Sequence, residues 1–479
     1  MAKTDELIES RLKMTQHESM TDTKFDLIVL GGGNATSLAR RAAEAGWRVA
    51  LVEADLLGGS CPNRGCVPSK LLLGFAEVAT TIRHAARFHM EAKLTSVDVE
   101  TVRSETQEAT IKSVDGRIEK GLPDNCTLFR GFGRFVGQKQ IEVNGLVIEG
   151  EKVLVATGTR PSVPKTYENL PVWTSDHVFN MESVPKSIAI IGGGYIACEL
   201  AWFFASVGVE TTVLVRRDEL LSAEDREIRA LFKEGFCQEV NVKFKTTVAG
   251  GKEVDGGIAL DLVTQGEDGE ETSTLTAERV LVATGRESTA DKINLDAAGI
   301  EANDRGFIVT DDHQCTSADG VYALGDVTGR YFFTHSAAWE ATYLGNAWLE
   351  GKEGPIDYGP MPHAGFSYPE VAGVGQTEDQ LEAAGTPYLV GAVPYTSAAK
   401  GRAVKERHGL CKFLVSPDGT ILGCHIVGHQ ASVLLHEVIP VMRWRNKIDS
   451  LTDMIHIHPS LSEVVRNAAR VAHEACRQA

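Results

Sequence analysis

Phe25-Asp-Leu-Ile-Val-Leu-Gly-Gly-Gly-Asn-Ala-Thr36 and Ser187-Ile-Ala-Ile-Ile-Gly-Gly-Gly-Tyr-Ile-Ala197 share one form: an apolar run, three glycines and a small residue three positions on. Each run reads as a buried strand and each glycine triplet as a tight turn; helices follow over 37–45 and 198–207, then strands over 48–53 and 211–215. The chain therefore writes a βαβ unit twice. A near-identical strand follows each copy, Lys152-Val-Leu-Val-Ala-Thr-Gly158 and Arg279-Val-Leu-Val-Ala-Thr-Gly285. The pattern predicts an α/β protein with two Rossmann-like dinucleotide-binding domains.

A glycine triplet between a strand and a helix lets the backbone approach a pyrophosphate, where free N–H groups and the helix dipole favour an anion. Gly31 and Gly33 fill this role in the first copy, with Thr36 in place of the third glycine; Gly192 and Gly194 fill it in the second, with Ala197 in that place. Glu53 ends the next strand of the first copy, about twenty residues on, where a carboxylate accepts from a ribose 2′-hydroxyl. In the second copy that strand end is apolar and Arg216-Arg217 follow, a pair better suited to a 2′-phosphate, which favours NADPH over NADH. The alternative for the arginines is a surface cluster neutralised by Asp218 and Glu219.

Between the copies lies Gly58-Gly-Ser-Cys-Pro-Asn-Arg-Gly-Cys-Val-Pro-Ser-Lys70. Cys61 and Cys66, close in sequence and just past a nucleotide unit, look like a redox couple. A zinc knuckle would need two further ligands at matching spacing, and no second Cys or His pair supplies them, so no metal is expected.

The 479 residues suggest two to four domains, and 43% hydrophobic with 24% charged content is ordinary for a folded, water-exposed chain. A net charge of −17 argues against nucleic acid or an anionic membrane as partner. The nine cysteines are scattered singly apart from the first pair, unlike a secreted disulfide framework, so a reducing cytoplasm is expected. The first 24 residues are charged and lack a signal peptide's apolar core, and read as an N-terminal extension. From about Gly354 the pattern changes to alternating strands over 411–415 and 421–427, an apolar helix over 432–443, and a last helix opened by His456-Ile-His458-Pro459 and Glu463.

With the cysteine loop, both glycine turns, both Ala-Thr-Gly strands, Gly325-Asp326 and His458-Pro459 in one order, the chain resembles the flavin-dependent pyridine nucleotide-disulfide oxidoreductases from about Phe25 onward. The family includes glutathione reductase, dihydrolipoamide dehydrogenase, mercuric reductase and mycothione reductase. The resemblance implies a homodimer whose subunits share each active site. It assigns 25–163 with 285–352 to a discontinuous FAD-binding domain, 164–284 to an NAD(P)H-binding domain and 353–479 to an α+β dimerisation domain, after the 1–24 extension. It places Gly31, Gly33, Asn34, Glu53, Ser60, Lys70, Thr157, Gly158, Asp326, Thr334 and His335 against FAD, and Gly192, Gly194, Tyr195, Ala197, Arg216, Arg217 and Gly285 against NADPH.

The same resemblance gives roles. Cys66 lies against the flavin as its thiolate, and Cys61 attacks the substrate disulfide. Lys70 pairs with Glu199 beside the flavin, Tyr195 gates the nicotinamide pocket, and His458 with Glu463 is the acid–base dyad, reaching Cys61 of the other subunit. A helix start and Lys70 are expected to lower the thiolate pKa.

Several stretches, among them Gly428-His-Gln-Ala-Ser432 and Leu461-Ser-Glu-Val-Val-Arg-Asn467, look more like mycothione reductase and its relatives. Arg64 would suit an anionic thiol disulfide at the pocket mouth. The expected activity is NADPH-dependent reduction of a low-molecular-weight disulfide of the mycothione or glutathione type. An NAD-dependent dihydrolipoamide dehydrogenase, working as a complex subunit, is the alternative, although Pro62-Asn63-Arg64 stands where that enzyme usually carries Leu-Asn-Val. A mercuric-reductase-like metal reductase and a redox-sensing flavoprotein are the further alternatives; the chain has only Cys476 near its end, where the mercuric enzymes carry a vicinal pair.

Overall fold

A computed structural model describes residues 23–110 and 114–479; the expected extension lies outside the described residues except for its last two. The chain forms two compact units. One contains the residues up to Pro68 with Glu105–Pro161 and Arg286–Tyr358, and the other contains Ser69–Ser104, Ser162–Gly285 and Gly359–Ala479.

In the first unit the strand Lys24–Leu30 pairs in parallel with both Val49–Glu53 and Leu146–Val155, with Ile28 opposite Ala50 on one side and Val153 on the other. The sheet continues through Cys126–Arg130 at one end and Val321–Ala323 beside Leu146–Val155, while Gln140–Val143 and Gly133–Gly137 add antiparallel strands. Leu27 and Val29 pack on the helix Ala35–Glu44, and Ile28 and Leu30 pack on the opposite layer with Ile293 and Ile308. Burial on both faces explains the unbroken apolar run in the sequence. Because neighbouring strands leave Lys24–Leu30 on both sides, the chain directions diverge just past its end, and the turn at Gly31 sits at that crevice.

The second unit repeats the arrangement. Ser187–Ile191, helix Tyr195–Ser206 and Glu210–Leu214 form its βαβ unit, and the parallel sheet runs from Asn241–Lys243 to Arg279–Val282 with Ser187–Ile191 between Glu210–Leu214 and Arg279–Val282. A three-stranded antiparallel sheet spans Thr246–Ala277, which the sequence reading did not separate.

The same unit carries a five-stranded antiparallel sheet ordered Pro362–Gly365, Val371–Gly375, Ile421–Val427, Leu410–Val415, Leu389–Pro394. The helix Ser462–Gln478 buries Val464, Val465, Ala468, Ala469 and Ala472 in this sheet's core. The single helix expected over 432–443 is two, Ala431–Leu435 and Val438–Trp444. Pro440 has no N–H to offer the carbonyl of His436, and the chain breaks there. Among the described residues, no helix is long and apolar enough to cross a membrane.

Candidate active site

The cysteine loop folds as a short helix, Ser60–Arg64, followed after Gly65 by the helix Cys66–Arg83. Gly65 is required by crowding: a Cβ there would stand 2.9 Å from the Ser60 carbonyl oxygen and 3.4 Å from the Cys61 Cα. Asn63, fully buried, donates from Nδ2 to the carbonyls of Leu57 and Gly59, both at 2.9 Å, and so ties the loop to the turn before it. The sequence reading met Asn63 only within Pro62-Asn63-Arg64 and gave it no role of its own.

Cys66 is the first residue of its helix, and its Sγ lies 3.6 Å from Oγ1 of Thr334, the first residue of the helix Thr334–Glu350. Two helix N-termini thus bracket this sulfur, a setting that favours a thiolate. The thiol of Cys61 is pushed up instead, by its hydrogen bond with Cys66 and then by burial. Two touching thiols do not both ionise, so at most one of them carries a charge.

Around this loop the first unit assembles the residues expected at FAD apart from Lys70, which belongs to the second unit. Gly31 has φ +113° and any Cβ would run into the Ala156 carbonyl, whereas a Cβ on Gly33 meets only Gly59 Cα at 3.9 Å. The first glycine serves the turn and the second leaves room for a ligand. Asn34 donates to the Thr334 carbonyl at 3.3 Å, joining the turn to the Cys66 neighbourhood.

Glu53 accepts from the Gly32 N–H at 2.6 Å and the Asp55 N–H at 2.7 Å, and burial raises its carboxyl. It is tied to the turn it was expected to serve, with lone pairs left for a hydroxyl. Asp326, raised by burial, accepts from Thr159 Oγ1 at 2.9 Å. The His335 ring stacks on Phe333 at 5.0 Å between centroids, Ser60 is exposed at its helix start, and Gly158 has φ +71° with open space beyond it.

Thr36 Oγ1, Thr157 Oγ1 and Asn63 Oδ1 are buried polar atoms with no partner within the protein. Such atoms are costly unless a ligand or water satisfies them. Together with the free space at Gly33, they fit a bound dinucleotide such as FAD.

In the second unit Gly192 has φ +136° and a Cβ there would strike the Ala283 carbonyl, while a Cβ on Gly194 would meet nothing within 4 Å. Ala197 is fully buried against this turn, and Gly285, with φ +144°, accepts the Ser162 N–H at 3.0 Å. Arg216 and Arg217 are exposed just past the strand Glu210–Leu214, Arg217 leaning toward Glu219 at 3.8 Å.

Lys70 Nζ donates to both carboxylate oxygens of Glu199, at 2.7 and 2.9 Å, and Glu199 also accepts the Phe366 N–H at 3.0 Å. Tyr195 donates to the buried Glu224, a residue the sequence reading passed over. Arg64, expected to face an anionic substrate, is ion-paired with Asp55. Its charge is already matched nine residues back along the chain.

His458 precedes the helix Ser462–Gln478 rather than opening it, and Glu463 lies in the first turn. Its imidazole is 72% exposed while Glu463 is buried. Glu463 also accepts from the Ser460 N–H at 3.3 Å and Arg466 Nη2 at 2.9 Å. The hydrogen bond from His458, above all, holds the Glu463 carboxyl below its usual range.

A family model described as pyridine nucleotide-disulphide oxidoreductase matches residues 25–341, and its dimerisation-domain counterpart matches 361–469. A dihydrolipoyl dehydrogenase of Chlorobaculum parvum is 33% identical over 469 residues, covering 96% of this chain and 99% of that protein. The leghemoglobin reductase of Glycine max is 31% identical over 94% of this chain and 88% of its own length. Among solved structures, the Cu(II) complex of RclA, an HOCl-induced flavoprotein disulfide reductase from Escherichia coli, superposes with a TM-score of 0.81 at 27% identity, covering 93% of this chain and 99% of that one. The chain belongs to the pyridine nucleotide-disulphide oxidoreductase family and is a flavoprotein NAD(P)H-dependent oxidoreductase with a homodimer-forming C-terminal domain.

Proposed function

We propose that the enzyme passes two electrons from NADPH, through FAD, to the Cys61–Cys66 disulfide and on to a low-molecular-weight disulfide of the mycothione or glutathione type. FAD, when bound, supplies the two-electron carrier between coenzyme and disulfide. On this reading 25–163 with 285–352 hold FAD, 164–284 the coenzyme, and 353–479 the partner subunit.

The observation that carries the reading is the asymmetry of the cysteines. The disulfide gains two electrons and one proton to become a thiol and a thiolate. Cys66, bracketed by helix starts, then holds the negative charge, and Cys61 holds a proton it gives up reluctantly. Cys61 therefore needs a base. His458, with Nδ1 tied to Glu463, presents Nε2 outward as an acceptor, and a partner subunit's copy takes the Cys61 proton. The Cys61 sulfur attacks one substrate sulfur, breaking the substrate disulfide; the imidazolium protonates the departing thiolate. Cys66 then attacks Cys61, releasing the second substrate sulfur as a thiolate that takes its proton from solvent, and restoring the protein disulfide. Lys70 and Glu199, Tyr195, and the arginines past Glu210–Leu214 serve the coenzyme step in this scheme.

Exposed guanidinium groups, with no acid at the strand end, support NADPH. The names of the relatives favour a second reading, an NAD-linked dihydrolipoamide dehydrogenase. Coenzyme oxidation with lipoamide, glutathione disulfide, mycothiol disulfide, bis-γ-glutamylcystine and mercuric ion separates them. The proposal expects the highest kcat/KM with NADPH and a small thiol disulfide; a preference for NADH and lipoamide establishes the second reading.

A further inference from the structure

The strand Pro362–Gly365 and the residue after it touch one face of the helix Tyr195–Ser206 at two points and Glu224 at a third, all within the second unit. Phe366 gives its N–H to Glu199, Gly365 backs onto the ring of Tyr195, and His363 reaches Glu224. Tyr195 and Glu199 stand four residues apart and so share that face. The Tyr195 ring lies so close to the strand that a Cβ on Gly365 would stand 2.6 Å from its Cδ1.

Glu224 is the hub of this contact. Its side chain has no exposure at all, yet it takes the phenolic hydrogen of Tyr195 on Oε1 and faces Nε2 of His363, 3.2 Å from Oε2. Burial alone would neutralise such a carboxyl, but the hydrogen bond from His363 leads the opposing effects, and the group stays below its usual range. The Tyr195 phenol is pushed up, by burial and then by the Glu224 charge, so it keeps its proton and donates. A hydrogen bond to a buried charge is among the stronger ones in a protein. Here it holds a side chain that is the first residue after Gly194, beside the open space left for a coenzyme.

We propose that Glu224, oriented by His363, is a positioning residue that latches Tyr195 over the coenzyme site, so that the nicotinamide end enters only when Tyr195 lets go of Glu224. The inference rests on the reading of Tyr195 as the gate. The latch costs the coenzyme binding free energy and keeps the site covered between turnovers. Weakening it therefore tightens coenzyme binding, the opposite of what damage to the fold does.

The test is calorimetric titration of the FAD-loaded enzyme with NADP+ and NAD+, which bind without reaction. Tyr195→Phe keeps the ring and its packing and removes only the hydroxyl, so it carries the test even where Glu224→Gln folds poorly. Each variant lowers Kd about tenfold or more, and the double variant binds no tighter than either single one. Unchanged or weaker binding in Tyr195→Phe, alongside tighter binding in Tyr195→Ala, overturns the latch and leaves the gate standing. Unchanged binding in Tyr195→Ala removes Tyr195 from the coenzyme's path and takes the latch with it.

Discussion

Nδ1 of His458 lies 3.0 and 3.1 Å from the two carboxylate oxygens of Glu463, so the ring is pinned at one nitrogen while most of the side chain stays exposed. A carboxylate accepts, so Nδ1 carries a hydrogen, and in the neutral ring Nε2 is left with a lone pair. Such a base serves a reaction outside its own dyad. His458→Ala is expected to leave flavin reduction by the coenzyme intact in stopped flow while disulfide turnover falls by about two to four orders of magnitude, the usual contribution of general acid–base catalysis. Loss of both halves together would assign His458 a structural role.

If that base serves the partner's Cys61, defects in the two residues complement each other. Cys61→Ser and His458→Ala chains, unfolded together and refolded, pair at random into about half mixed dimers, each with one intact site of two. Activity then returns to about a quarter of wild type. Activity no higher than that of the parents, with mixed dimers confirmed by mass, would place base and cysteine in one subunit.

Gly192 and Gly194 predict opposite phenotypes. Gly192→Ala forces a side chain into the Ala283 carbonyl at φ +136° and is expected to lower Tm with or without ligand. Gly194→Ala meets no protein atom, so its effect on stability stays within the ~1 kcal/mol of a helix cap, while coenzyme Kd rises at least about tenfold. Equal binding by Gly194→Ala and wild type would mean that this space holds no ligand.

Arg216→Ala tests the coenzyme. A charge-assisted contact with a 2′-phosphate is worth roughly 1.5–3 kcal/mol, so KM for NADPH should rise about tenfold or more while KM for NADH stays near its starting value. Small, equal effects on both would remove the phosphate contact.

Acid stability should depend on the network around Lys412. This buried ammonium meets Asp225 at 2.8 Å, Glu227 at 2.7 Å and Glu378, which also receives Arg226 at 3.0 Å. Burial opposes ionisation of Glu378, but the bonds from Arg226 and Lys412 outweigh it and bring its pKa to about 2. The folded value lies below the unfolded one, so its stabilisation is complete above roughly pH 4.3 and lost as pH falls toward the folded value. Glu378→Gln should therefore flatten the fall of the urea midpoint between about pH 5 and pH 3. Identical slopes in both proteins would show that Glu378 takes up no extra proton on unfolding.

The two βαβ units were legible because strands buried on both faces must be continuously apolar and the glycine turns tolerate few substitutions. The pairs Lys70–Glu199 and His458–Glu463 followed from the family pattern, and the structure brings each within hydrogen-bond reach. Glu224 and His363 left no trace in the sequence, since they are 139 residues apart and meet only through the fold. Arg64 misled because a charge reads as free until its partner is placed, and Asp55 is that partner. The break before Val438 was visible in Pro440, but apolar periodicity outweighed the missing donor.

The most direct measurement is mass spectrometry after alkylation of the FAD-loaded enzyme, with and without one equivalent of NADPH under nitrogen and no substrate. The account predicts coenzyme-dependent labelling of Cys61 and Cys66, two new thiols per subunit, and its reversal when a disulfide substrate is added. Labelling of these two cysteines that does not change with coenzyme, or new thiols elsewhere in the chain, would contradict it.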